Sequence, residues 1–198
     1  MTAAFGRRHE RGRFVSPDLR SQVRLRPAAT PDVELFERWD RDPDVIAATS
    51  DDPNADKAFA DAYWQQELST QSPLSFYLVA ELNQRPIGAM QIIDPLLEPT
   101  HYWGDCEPYL RAIDIWIGEA DARDLGYGTA MMRQAINRCF AEPVVTAIVI
   151  DPLTSNTRVH RFYQRLGFQP VGRRSFGGDD CLVHRLERCG MVLRKGSP

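Results

Sequence analysis

The chain has 198 residues, 43% of them hydrophobic and 26% charged, which is enough to bury one sizeable core and fits a single domain. Its net charge of −3 argues against nucleic acid as the main partner, because domains that bind it carry a basic excess. No run of about 18 apolar residues is present to cross a bilayer, so a membrane partner is not expected.

From Arg7 to Arg26 seven arginines face only Glu10 and Asp18. Met1–Arg20 has no apolar segment of the kind a secretory signal needs, so residues 1–21 are expected to be a disordered or loosely attached tail ahead of one domain at 22–198. Cys106, Cys139, Cys181 and Cys189 make no CxxC pair and show no disulfide or zinc-site spacing; reduced thiols in a cytoplasm fit that pattern.

Val23–Arg26 alternates as a short strand and stops at Pro27. A helix is expected next, with Thr30 as its cap, Pro31 at its first position and an apolar stripe of Leu35, Phe36 and Trp39. It ends at Asp40–Pro43. The Asp-rich segment from there to Asp56 reads as a loop or short broken helix, either solvated surface or the rim of a site, and a second helix is expected over Ala55–Leu68. Phe76–Glu81 and Pro86–Ile93 are β-rich runs joined by a polar turn, Asn83–Arg85, and predict a hairpin. An irregular insertion follows, Asp94–Pro108, with three prolines, four acids and the pair Tyr102-Trp103. Leu110–Gly118 is apolar at both parities and reads as a central strand. Asp114 in its middle is the anomaly: an unpaired carboxylate in an apolar strand costs of order 2–7 kcal/mol, so it should face a wet cleft or cap a neighbouring turn.

Arg123-Asp124-Leu125-Gly126-Tyr127-Gly128 opens the amphipathic run Thr129–Phe140. Two glycines at a helix start leave backbone amides bare, as a pyrophosphate site needs; the same pattern also serves plain loop-to-helix turns. Neither GxxxxGK[ST] nor GxGxxG is present. Ala147–Asp151 is a short buried strand leaving through Pro152, and Thr157–Leu166 is a helix closed by Gly167. Val171–Ser175 and Cys181–Leu186 form a last strand pair across Gly177–Asp180. The fold class is therefore α/β with a mixed sheet and one internal βαβ crossover at the Gly-rich turn. The segment Asp94–Asp124, with eight carboxylates against Arg111 and Arg123, suits a cationic small molecule.

Three features sit together: RDLGYG at a helix start, the strand-ending DPLTSN, and SNTRVHRFYQRLGF. Their combination resembles the GNAT family of acetyl-CoA-dependent N-acetyltransferases over roughly Arg24 to Leu186, with a central sheet of about seven strands. Arg123, Gly126 and Gly128 match the family's Q/R-x-x-G-x-G/A pattern for the pyrophosphate of coenzyme A. Asn156 corresponds to the Asn beside the pantetheine arm, Arg158 lies in the same matching run, and Tyr163 to the Tyr assigned as acid for the leaving thiolate; Val159 replaces a usual Ala. The segments RPIGAMQ, YWGDCEPYLRAID and IDPLTSN look like the aminoglycoside 6′-N-acetyltransferase branch, although siderophore-type N-acyltransferases share the scaffold.

The resemblance implies a division of labour. Backbone amides from Leu125 through Tyr127 to Thr129 would hold the pyrophosphate, with Arg123 adding charge. A strand amide among Ile115, Trp116 and Ile117 would polarise the thioester carbonyl. Asp114 would draw the proton from the amine, Asp151 and Asp179 would hold further ammonium groups, and Tyr102 and Trp103 could stack on the acceptor; Asp151 also reads as an Asx-Pro turn and Trp103 as a loop anchor. Acetyl-CoA is the co-substrate, no metal is needed, and the protein is expected to be a monomer or homodimer. His160 and His184 read as structural. Acylation of a siderophore amine or a protein N-terminus, and a non-catalytic acyl-CoA-binding module, are the alternatives.

Overall fold

The computed structural model describes residues 22–60 and 62–188, so the expected tail and Cys189 lie outside it. In chain order the elements are β1 (Val23–Pro27), α1 (Val33–Asp40), α2 (Pro43–Thr49), α3 (Trp64–Ser69), β2 (Ser75–Leu82), β3 (Arg85–Ile93), β4 (Leu110–Trp116), α4 (Tyr127–Ala141), β5 (Ala147–Ile150), α5 (Thr157–Arg165), β6 (Gln169–Phe176) and β7 (Asp179–Glu187). The seven strands make one sheet in the order β1-β2-β3-β4-β5-β7-β6. Only β4 and β5 run parallel, joined through α4 as the expected βαβ crossover.

Local chemistry accounts for the main departures from expectation. The helix expected over Ala55–Leu68 is confined to Trp64–Ser69. Upstream of it, Asp40 takes over the backbone: its carboxylate accepts from Phe59 N (2.8 Å) and Trp64 Nε1 (3.1 Å), and its carbonyl from Ala58 N. Part of the Asp-rich segment takes the short-helix form of the two expected, as α2, because the Asp42 side chain caps Asp44 N and Val45 N and Pro43 occupies the first turn. Thr30 does not cap; Asp32 accepts from Ala29 N at 2.9 Å and pairs with Arg26. The β2–β3 hairpin turns through Asn83 and Gln84, both at positive φ, as a two-residue reversal requires.

Helices α4 and α5 cover one face of the sheet through Met131, Met132, Tyr163 and the strand residues Leu78, Ile113 and Ile148. The other face is covered in two separate patches. Helices α1 and α3 pack Phe36, Trp39, Trp64 and Leu68 onto Tyr77, Val79 and Trp116. The Asp94–Pro108 insertion packs Trp103 with Leu110, Ala112, Val149 and Phe176. Along β4, Ala112 belongs to the second patch and Trp116 to the first, so Asp114, at the same parity, faces the gap between them.

A second feature opens the sheet at that point. β4 and β5 pair over three residues only, ending at Ala112 opposite Val149, while β4 continues to Trp116 with β3 as its neighbour. Beyond that pair the two strands separate and the two faces of the sheet communicate. Asp114 and Asp151 each lie two residues past the last pair, on the same face, which makes them opposite one another across the opening.

Candidate active site

The opening leads into a cleft of about 1830 Å³. On one side the cleft is lined by Asp114, Asp151, Tyr102, Trp103 and Asp179. On the opposite side it is lined by Tyr163, Asn156, Arg158 and the turn residues Arg123, Gly126, Gly128 and Thr129, with Tyr127 behind them. Ile115, Trp116 and Ile117 form the wall between. Leu125 is the expected residue that stays out, its side chain turned to solvent.

The turn has the geometry of an anion cradle. Asp124 (φ 65°) and Gly126 (φ 85°) both adopt left-handed backbone, the second immediately before the fifteen-residue α4. Thr129 N bonds to Gly126 O, whereas the amides of Leu125, Gly126, Tyr127 and Gly128 have no acceptor among the described residues. Four bare N–H groups at the positive end of a helix favour phosphate. A Cβ at Gly128 would come no closer than 3.7 Å to the Phe162 ring, so the surrounding protein leaves room for a side chain there and does not itself demand glycine.

Arg123 departs from its expected place. Its guanidinium donates to Ile117 O at 3.1 Å and Gly118 O at 3.0 Å and is ion-paired with Asp42 and Asp44. With four of its five N–H groups committed to protein, it pins the turn to the end of β4 and to α2 instead of reaching an anion. Arg158 pairs with Asp124, joining α5 to the turn. The Asn156 Oδ1 caps α5 by accepting from Val159 N at 3.2 Å, and Asn156 lines the cleft.

On the side of the paired aspartates, burial first and then the Asp151 charge push Asp114 up to about 7. Asp114 sits deep in protein mass, yet the cleft reaches it, so the group is desolvated without being sealed. Burial likewise raises Asp151, against the pull of the Tyr102 hydroxyl, which donates to it at 2.7 Å. Tyr102 stacks on Phe176 with ring centroids 4.8 Å apart and keeps its other face half-exposed. Trp103 is buried edge-on against Phe176 at 5.1 Å, and its carbonyl accepts from Arg174 at 2.6 Å; it anchors the insertion, and Tyr102 is the aromatic that offers a surface. Asp179 accepts from Asp51 N at 2.9 Å, and Asp51 in turn accepts from Ser155 Oγ at 2.7 Å. The segment after α2 thus bridges the β6–β7 hairpin and the loop entering α5, and its acids Asp51, Asp52 and Asp56 line the cleft as a rim.

Tyr163 is buried, and burial followed by Asp114 and Asp151 holds its hydroxyl well above the usual range, so it is a proton donor at neutral pH. Gln91, opposite Asp114 on β3, and Glu98, which accepts from Thr100 N and Tyr102 N and so holds the Tyr102 loop, also line the cleft. Neither stands out in sequence, because register and loop closure give them their places. Among the described residues no three His, Cys, Asp or Glu side chains are gathered so as to hold a metal ion.

The chain is similar to known proteins in sequence and in fold. Residues 28–176 match the family described as an acetyltransferase (GNAT) domain. An aminoglycoside N(6′)-acetyltransferase type 1 from Klebsiella pneumoniae is 35% identical over 95 residues, 48% of this chain and 47% of that one; the chain spans about half the length of this relative. A kanamycin resistance protein from Rhizobium radiobacter is 36% identical over 78 residues, 39% of this chain and 72% of that protein. The crystal structure of aminoglycoside acetyltransferase AAC(6′)-Ib with coenzyme A and kanamycin superposes with a TM-score of 0.70 at 25% identity, covering 84% of this chain and 95% of that one.

Proposed function

We propose that this chain, which belongs to the GNAT acetyltransferase family, transfers the acetyl group of acetyl-CoA to the 6′-amine of an aminoglycoside by direct attack in a ternary complex. The observation that carries the reading is the opposed pair Asp114 and Asp151 at the opening between β4 and β5, on the far side of that opening from Tyr163 and the bare amides of the α4 turn.

The donor binds with its pyrophosphate on the amides of Leu125–Gly128 and its arm along β4, whose edge past Ala112 has lost its β5 partner. The acceptor arrives as a polycation and lies among Asp51, Asp114, Asp151 and Asp179, with Tyr102 stacking on it. An ammonium cannot attack, so Asp114 takes its proton; a carboxyl raised to about 7 is matched to that task at neutral pH. The amine lone pair forms the C–N bond, the tetrahedral intermediate expels the coenzyme A thiolate, and Tyr163 protonates the sulfur. The free thiols Cys106, Cys139 and Cys181 accord with a cytoplasmic site of action.

Thiol release measured with acetyl-CoA over a panel of amines tests this. Turnover is expected with kanamycin or tobramycin; turnover confined to a peptide N-terminus or a siderophore amine would replace the acceptor, and tight acetyl-CoA binding without turnover on any amine would remove the catalytic reading.

A further inference from the structure

Among the described residues, three buried side-chain polar atoms have no protein partner: Thr154 Oγ1, His160 Nδ1 and His184 Nε2. They belong to one cluster. The imidazoles of His160 on α5 and His184 on β7 stack with centroids 5.1 Å apart and planes 13° from parallel, and His160 Nε2 lies 3.3 Å from Thr154 O. His184 has no solvent exposure at all. Each buried polar atom left unpaired costs roughly 1–3 kcal/mol, and three on neighbouring residues can be met by one shared partner.

The bonds already made fix what that partner must be. A carbonyl accepts, so His184 Nδ1 donates to Leu182 O at 2.8 Å and His160 Nε2 donates to Thr154 O. Burial holds the His184 imidazole below its ordinary value, which keeps it neutral at pH 7. His184 Nε2 is therefore a bare lone pair, and the Thr154 hydroxyl has a proton to give. A water molecule can donate to His184 Nε2, accept from the Thr154 hydroxyl and still has a donor and a lone pair for His160 Nδ1, so one molecule matches the three atoms.

The cluster lies directly behind Tyr163. The Tyr163 ring is 6.2 Å from His184, and His160 precedes it by one turn of α5. We infer that Thr154, His160 and His184 enclose one ordered water, and that this hydrated cluster seats α5 on β7 so that the Tyr163 hydroxyl is aimed at the leaving sulfur; His184 is thus a positioning residue. This rests on the assignment of Tyr163 as the acid of the proposed reaction.

The test uses the full chain with kanamycin and acetyl-CoA, comparing wild type, His184→Phe, His184→Gln, Tyr163→Phe and the His184→Phe/Tyr163→Phe double variant. His184→Phe keeps the volume but loses the lone pair and is expected to lower kcat by about 10- to 100-fold, while KM for acetyl-CoA changes less than about twofold. Gln places an amide oxygen near the Nε2 position and is expected to restore most of the loss. In the Tyr163→Phe background, His184→Phe should add no further loss. Losses that multiply, or full kcat in His184→Phe beside an impaired Tyr163→Phe, would overturn the inference and leave the Tyr163 assignment standing. Full kcat in Tyr163→Phe would overturn both. Should His184→Phe fail to fold, a high-resolution crystal structure of wild type decides: density for a water bonded to all three atoms is expected, and a dry cluster contradicts it.

Discussion

Replacing Asp114 with Asn separates the cost of the site from its use. Burial and the Asp151 charge lift Asp114 from an ordinary 3.8 to about 7, so the folded chain holds a proton that the unfolded chain releases. A carboxyl raised in this way supports the fold below about pH 4, and that support is lost as the pH rises through about 7. The interval of about 3 pH units corresponds to about 4 kcal/mol, at about 1.4 kcal/mol per unit, and water in the cleft screens part of it. Asn has the same shape and no charge. Asp114→Asn should therefore be more stable than wild type at pH 8 by about 1–4 kcal/mol, with the difference shrinking to near zero at pH 4. Urea unfolding at the two pH values measures it. Over the same range kcat/KM should fall by about 10²- to 10⁴-fold and lose its dependence on a group near pH 7. Equal stability at both pH values would refute the desolvation of Asp114, and wild-type turnover would remove it as the base.

Tyr163→Phe should lower kcat by about 10- to 100-fold with little change in melting temperature, since its hydroxyl has no hydrogen-bond partner among the described residues; steady-state kinetics beside a thermal melt checks this. Tyr102→Phe removes the 2.7 Å bond that pulls Asp151 down, so Asp151 should titrate at higher pH and KM for the polycation should rise first on the acid side of the profile. Arg123→Ala should cost about 1–3 kcal/mol in chemical unfolding, with Arg123→Lys recovering little, because one ammonium cannot span two carboxylates and two carbonyls. If Arg123→Lys restored stability fully, the pinning role would be wrong.

Much of this arrangement is legible in the chain because its signals are local. The apolar run of β4, the helix start at Gly126 and the Asn156 cap of α5 each follow from neighbours in sequence, and so does the anomaly of Asp114. The pairing of Asp114 with Asp151 is not local: it depends on a parallel register over three residues and on where that register stops. Arg123 shows the limit of a motif. The pattern fixes the residue type, yet Asp42 and Asp44, some eighty positions earlier, decide what the guanidinium touches. The irregular path from Ala55 to Ala60 has the same cause, since the aromatic spacing suits a helix until Asp40 claims Phe59 N and the Trp64 indole. Tyr102 and Trp103 are adjacent and alike in composition, and only the position of Phe176 tells which is anchor and which is surface.

The account turns on acetyl transfer to one particular amine. The most direct measurement incubates the full chain with acetyl-CoA and kanamycin and locates the modification by mass spectrometry and NMR of the product. One acetyl group on the 6′-nitrogen is predicted, together with no reaction on an otherwise similar aminoglycoside bearing a 6′-hydroxyl. Acetylation at another nitrogen, or equal turnover of both compounds, would contradict it.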